Sequence, residues 1–107
     1  MTDFKDRERA EEAHFALEEE TLFRVQARRN RLLGQWAAER MGLSAVESES
    51  YAKSVVQADF EEAGDEDVVR KLLGDLVSAG IDTSEAEVRT ALDARYVEAR
   101  RQIMGES

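Results

Sequence analysis

Asp65-Glu66-Asp67-Val68-Val69-Arg70-Lys71-Leu72-Leu73-Gly74-Asp75-Leu76-Val77 decides the fold. Val68, Val69, Leu72, Leu73, Leu76 and Val77 recur at i, i+3 and i+4 without a break, so one face of a helix is apolar and faces a core. Asp65 is positioned to cap this helix, Glu66 and Asp67 suit the positive end of its dipole, and Gly80 stops it. The stretch just before it, Glu61-Glu62-Ala63-Gly64, reads as a turn.

Outward from that helix the same logic repeats. Upstream, Ser44 and Glu47 have the spacing of a capping box, which predicts a second helix ending near Glu61 with Ala52, Val55, Val56 and Phe60 inward. Before it, about Glu18 to Met41 places Leu22, Val25, Leu32, Leu33 and Trp36 in one sector, and Gly42 supplies the stop. Downstream, Asp82 with Glu85 and Ser84 with Glu87 both offer a capping box. The helix they start would turn Val88, Leu92, Tyr96, Ala99 and Ile103 inward. Short connections favour an antiparallel packing, so the expected fold class is all-α, a four-helix bundle over residues 18–107. The four stripes can cover one another, and a monomer is expected.

Composition agrees and excludes much else. The chain has 107 residues, enough for one core, with no Pro and only 6 Gly to punctuate an all-β fold. No Cys is present, which removes disulfides, thiolate metal sites and cysteine nucleophiles and fits a reducing compartment. No apolar run approaches the ~20 residues that span a bilayer, and Met1-Thr2-Asp3-Phe4-Lys5-Asp6 lacks the apolar centre of a signal peptide, so a cytoplasmic location without membrane insertion is expected. A net charge of −9 opposes nonspecific attraction to nucleic acid.

Residues 1–17 read differently. Continued as a helix, they would place Phe4 and Phe15 in the sector of Leu22 and Trp36, but Glu8 and Glu11 would lie between them, and carboxylates are costly to bury. Residues 1 to 20 carry eight acidic and three basic side chains. A lone helix of this length is marginal in water, so we expect a segment that is mobile alone and helical on a partner.

Catalytic signatures are missing. No Gly-rich run is followed by Lys and a hydroxyl, as a phosphate-cradling loop requires. His14 has no second ligand at metal spacing and reads as a solvated side chain, and no serine has a base partner. Asp59 to Arg70 puts Gly64 at the sixth place of a calcium loop, yet Ala63 stands at the fifth and Arg70 at the twelfth, where a carboxylate must bind. The acidic residues read instead as caps and a solvated turn. Residues 24 to 40 hold five Arg and one Glu. Pairing within the protein is expected of Arg24, Arg28, Arg29 and Arg31, beside the alternative of a phosphate or RNA contact. No catalytic, cofactor or metal residues are assigned.

Phe4-Lys5-Asp6-Arg7-Glu8-Arg9-Ala10-Glu11-Glu12-Ala13-His14-Phe15-Ala16, Ala27-Arg28-Arg29-Asn30-Arg31-Leu32-Leu33-Gly34-Gln35-Trp36-Ala37-Ala38, and Asp59-Phe60-Glu61-Glu62-Ala63-Gly64-Asp65-Glu66-Asp67-Val68 together resemble the zeta inhibitor subunit of alphaproteobacterial F-type ATP synthases. The resemblance implies an inhibitory N-terminal segment carried by a four-helix body. That segment would enter between alpha and beta subunits near the gamma shaft and stop rotation during ATP hydrolysis. It assigns partner contact to Phe4, Arg7, Glu8, Glu12 and Phe15. Arg28, Arg29 and Arg31 are the candidate secondary contact, and no nucleic acid is required. A helical adaptor for another assembly, or an Arg-mediated nucleotide or RNA binder, is the alternative reading.

Overall fold

The computed structural model describes the backbone of residues 2–61 and 64–105, and the side chains of residues 19–59 and 64–105. Four helices follow one another: α1 (Thr2–Arg40), α2 (Ala45–Glu61), α3 (Asp65–Ser78) and α4 (Glu85–Gly105). No strand occurs among the described residues. α1 packs along α2 and α4, and α3 closes the bundle against all three.

The boundaries follow local chemistry. The Ser44 box forms in both directions: Ser44 N–H donates to Glu47 Oε1 at 3.1 Å, and Glu47 N–H donates to Ser44 Oγ at 3.2 Å. Hydrogen bonding from Ser44 lowers the Glu47 pKa. Of the two candidate boxes before α4, Ser84 is used, its Oγ accepting from Glu87 N–H at 3.2 Å. Gly42 at φ 72° and Gly80 at φ 79° end α1 and α3. Leu43 N–H donates to the Ala38 carbonyl and Ile81 N–H to the Leu76 carbonyl, each at 3.0 Å. These are six-to-one closures, and they turn Met41 and Ile81 onto the core.

One cap differs from expectation. Gly64, at φ 144° with no side-chain cap, precedes α3, and Asp65 lies inside its first turn. The Asp65 carboxylate turns instead to Arg29 Nη1, 2.9 Å away. An ion pair to a buried guanidinium outweighs one capping bond.

The core collects Leu33, Val55, Val68, Val69, Leu72, Leu76, Val88 and Leu92 from all four helices. Four of the residues expected inward are less enclosed than their stripes imply. Leu22 is 47% exposed and Val77 58% exposed, while Leu73 and Trp36 are only half-buried. The side chain of Phe60 lies outside the described residues. Small residues do work the stripe did not assign them: Ala37 and Ala38 are fully enclosed, as is Ala52, which was expected inward. A Cβ on Gly34 would come within 2.7 Å of Ala52 Cα, so glycine there sets how closely α1 approaches α2.

α1 begins well before the Glu18 start expected of the first helix. Its 39 residues rise about 58 Å, against about 32 Å for the 21 residues of α4. Val25 packs beside Ile103 near the end of α4, so the excess length lies on the N-terminal side and extends the molecule to 66 Å.

Candidate partner-binding site

The helical backbone of α1 carries Phe4, Arg7, Glu8, Glu12 and Phe15 beyond the bundle, and the side chains of all five, like that of His14, lie outside the described residues. The described part of the site begins at Glu19 and is the surface onto which this extension leads.

Arg28, Arg29 and Arg31, read together from the sequence, part in space. Arg29 is 3% exposed and is consumed inside the chain. Its Nε and Nη2 donate to Asn30 Oδ1 at 3.1 and 3.0 Å, and Asn30 Nδ2 donates to Asp59 Oδ2 at 2.7 Å. With Asp65 at 2.9 Å, this network ties α1 to α2 and to the start of α3. Burial therefore removes Arg29 from the candidate contacts. Its donors already have acceptors, and a buried charge needs them.

Arg31 is exposed and pairs with Glu49 at 2.8 Å, and Arg28 donates to Gln102 Oε1 at 2.8 Å. Both remain on the surface of a groove of about 870 Å³ between α1, α2 and the end of α4. Phe23, Ala27, Val56 and Ile103 give the groove an apolar floor, and Arg24, Arg28, Arg31 and Lys53 rim it with positive charge. Phe23 is 54% exposed. This groove escaped the sequence reading, although Phe23 with Ala27, and Arg24 with Arg28 and Arg31, repeat at helical spacing along adjacent rows of α1.

The acidic turn has specific partners as well. Glu66 accepts from Arg89 Nη2 at 2.6 Å, which lowers its pKa, and Arg89 also holds Glu85 at 2.8 Å. Asp67 pairs with Arg70 at 3.2 Å. Of these surface pairs Glu66–Arg89 joins α3 to α4, while Glu85–Arg89 and Asp67–Arg70 each lie within one helix. Among the described residues no group of three His, Cys, Asp or Glu side chains could hold a metal ion, and no helix is long and apolar enough to cross a membrane. At the far end Tyr51 OH donates to Asp75 Oδ2 at 2.7 Å; burial, then that bond, pushes its pKa up. Arg40 lies over the Trp36 ring, 5.4 Å from its centre. Both aromatic rings serve packing between helices.

No curated protein matches the chain. A protein solved by solution NMR is similar, with 49% identity, coverage of 79% of this chain and 96% of that chain, and a TM-score of 0.69. The family described as ATPase inhibitor subunit zeta matches residues 1–102. With nearly the whole length matched and the bundle found as the motifs required, the chain belongs to the ATPase inhibitor subunit zeta family.

Proposed function

We propose that the chain binds the catalytic head of F-type ATP synthase and inhibits ATP hydrolysis by inserting residues 1–17 as a helix between alpha and beta subunits near gamma, where it blocks rotation. Phe4 and Phe15 supply apolar anchors, and Arg7, Glu8 and Glu12 supply directed polar contacts. The body, residues 18–107, displays the segment. The protein is a regulator without catalysis of its own, monomeric when free, and works on the cytoplasmic face, peripheral to the inner membrane while bound.

The observation that supports this reading is the excess length of α1. A helix longer than α4 by some 26 Å carries its hydrogen-bonded backbone on past the bundle, which suits insertion into a groove of another protein. Any ordering on binding costs several kcal/mol, which the anchors must exceed.

Titration into purified ATPase head tests it. The full chain should suppress ATP hydrolysis, and deletion of Met1 to Phe15 should abolish suppression while the thermal unfolding of the body stays nearly unchanged. Equal inhibition by the truncated chain would move the contact to the body. Absence of inhibition by either form would favour an adaptor role.

A further inference from the structure

Among the described residues two polar side chains are buried, Arg29 and Asn30, and both lie on α1 where it meets the end of α2 and the start of α3. Packing alone does not call for them, since apolar side chains of similar volume fill such a space at no loss. Asp65 is drawn into the same joint: its carboxylate lies 2.9 Å from Arg29 Nη1, while α3 starts after Gly64 with no side-chain cap. What these contacts add over apolar ones is direction. A hydrogen bond fixes a distance and an angle, whereas apolar contact is non-directional and tolerates sliding.

We propose that Asp65 is a positioning residue for inhibition: through Arg29 it fixes the direction in which α1 leaves the bundle, and so where Phe4 and Phe15 meet the ATPase head. The inference rests on the inhibitory reading, because direction matters only if residues 1–17 must reach a partner. Asn30 bonded to Asp59 holds α1 to α2, and Arg29 paired with Asp65 holds the adjacent residue to α3, so two helices grip α1 at one level. From that grip α1 runs on as one helical backbone to Thr2. Phe15 is 14 residues and Phe4 25 residues away, about 21 Å and about 38 Å of rise. A tilt of about 10° at Arg29 would displace them by about 4 Å and about 7 Å over that rise, the full reach of a side-chain contact. Val25 beside Ile103, and Arg28 bonded to Gln102 at 2.8 Å, lie nearer the extension. The first is apolar and the second joins two long, half-buried side chains that can re-aim, so neither resists a tilt as the buried pair does.

Two measurements on the full chain test this, with three variants. Asp65→Ala removes the link to α3 and should still fold, because the Asp65 side chain is 55% exposed and water can take its place at Arg29. Asp67→Ala removes a carboxylate from the same helical turn, but one that pairs only within α3 with Arg70. Val88→Ala thins the core at a fully buried position outside the joint. Residual dipolar couplings of the amides of residues 19–28, set against those of α2 and α4, read the angle of α1. That angle should change or spread in Asp65→Ala and stay as in wild type in the other two. Titration into the ATPase head should show half-inhibition shifted about tenfold for Asp65→Ala, because the segment is no longer preorganised, and less than about twofold for the others, although Val88→Ala melts at the lowest temperature. An unchanged angle or unchanged half-inhibition in Asp65→Ala would overturn the proposal. So would an equal loss of inhibition in Asp67→Ala, or a loss that follows melting temperature through Val88→Ala. A wild-type chain that leaves hydrolysis untouched would overturn the inhibitory reading and the positioning role with it, and the couplings would tell that failure apart from a joint that does not steer α1.

Discussion

At the end of the bundle away from the N-terminal extension, Leu33, Val55, Val68, Leu72, Leu76 and Val88 close one cluster drawn from all four helices, whereas nearer the extension the buried cluster of the described residues is small and joins α1 to α4 through Val25, Ala99 and Ile103. Leu32 and Tyr96 cover the smaller cluster partly, and Leu22, Phe23 and Met104 beside it are about half exposed. The Arg29, Asn30, Asp59 and Asp65 network lies between the two ends. Stability is thus concentrated where no partner is expected, and the apolar surface left for binding lies where the core is thin. Each end of α1 can change without the other only if that division holds.

The largest effect should fall in the four-helix cluster. Leu72→Ala and Leu76→Ala, both at 0% exposure, should each cost about 3–5 kcal/mol by urea denaturation, since neighbours on every side prevent collapse into the cavity. Next comes the joint. Asn30→Ala removes the acceptor of two Arg29 donors and the donor to Asp59 at once, which should cost about 2–3 kcal/mol. Ile103→Ala at the near end should cost about 1–2 kcal/mol, because a two-helix contact beside an open groove relaxes more readily. A cost at Ile103 equal to that at Leu76 would break the comparison, and a cost near zero would sharpen it.

Much of this division was legible. The uninterrupted stripe from Val68 to Leu76 marks the strong end, and the Ser44 and Ser84 boxes with Gly42 and Gly80 mark where helices begin and stop, because each rests on chemistry local to a few residues. The joint was illegible for the opposite reason. Arg29 and Asn30 are polar, periodicity assigns polar residues to solvent, and their acceptors at Asp59 and Asp65 lie about thirty residues away in sequence. Ala37, Ala38 and Gly34 were missed because small side chains add little to an apolar pattern while permitting close helix approach. Of the candidate site, the motif at Phe4 to Phe15 was legible as a resemblance. The groove at Phe23 was not, since its floor is assembled from three helices.

The smallest expected effect on stability is the most informative about function. Phe4→Ala combined with Phe15→Ala should change the unfolding free energy by less than ~0.5 kcal/mol, as substitutions away from buried features do. The excess of α1 over α4 is what carries these two positions past Val25, which packs beside Ile103 near the end of α4. Truncating two anchors of an interface should nevertheless cost more than ~1 kcal/mol each in binding, so half-inhibition of the ATPase head should require about thirtyfold more protein. Calorimetric melting and inhibition titration on the same preparation read the two quantities side by side. A melting temperature that falls together with inhibition would mean that the aromatic rings belong to the body's own core. The weak end would then be a folded part of the molecule, and the separation of binding from stability would fail where α1 leaves the bundle.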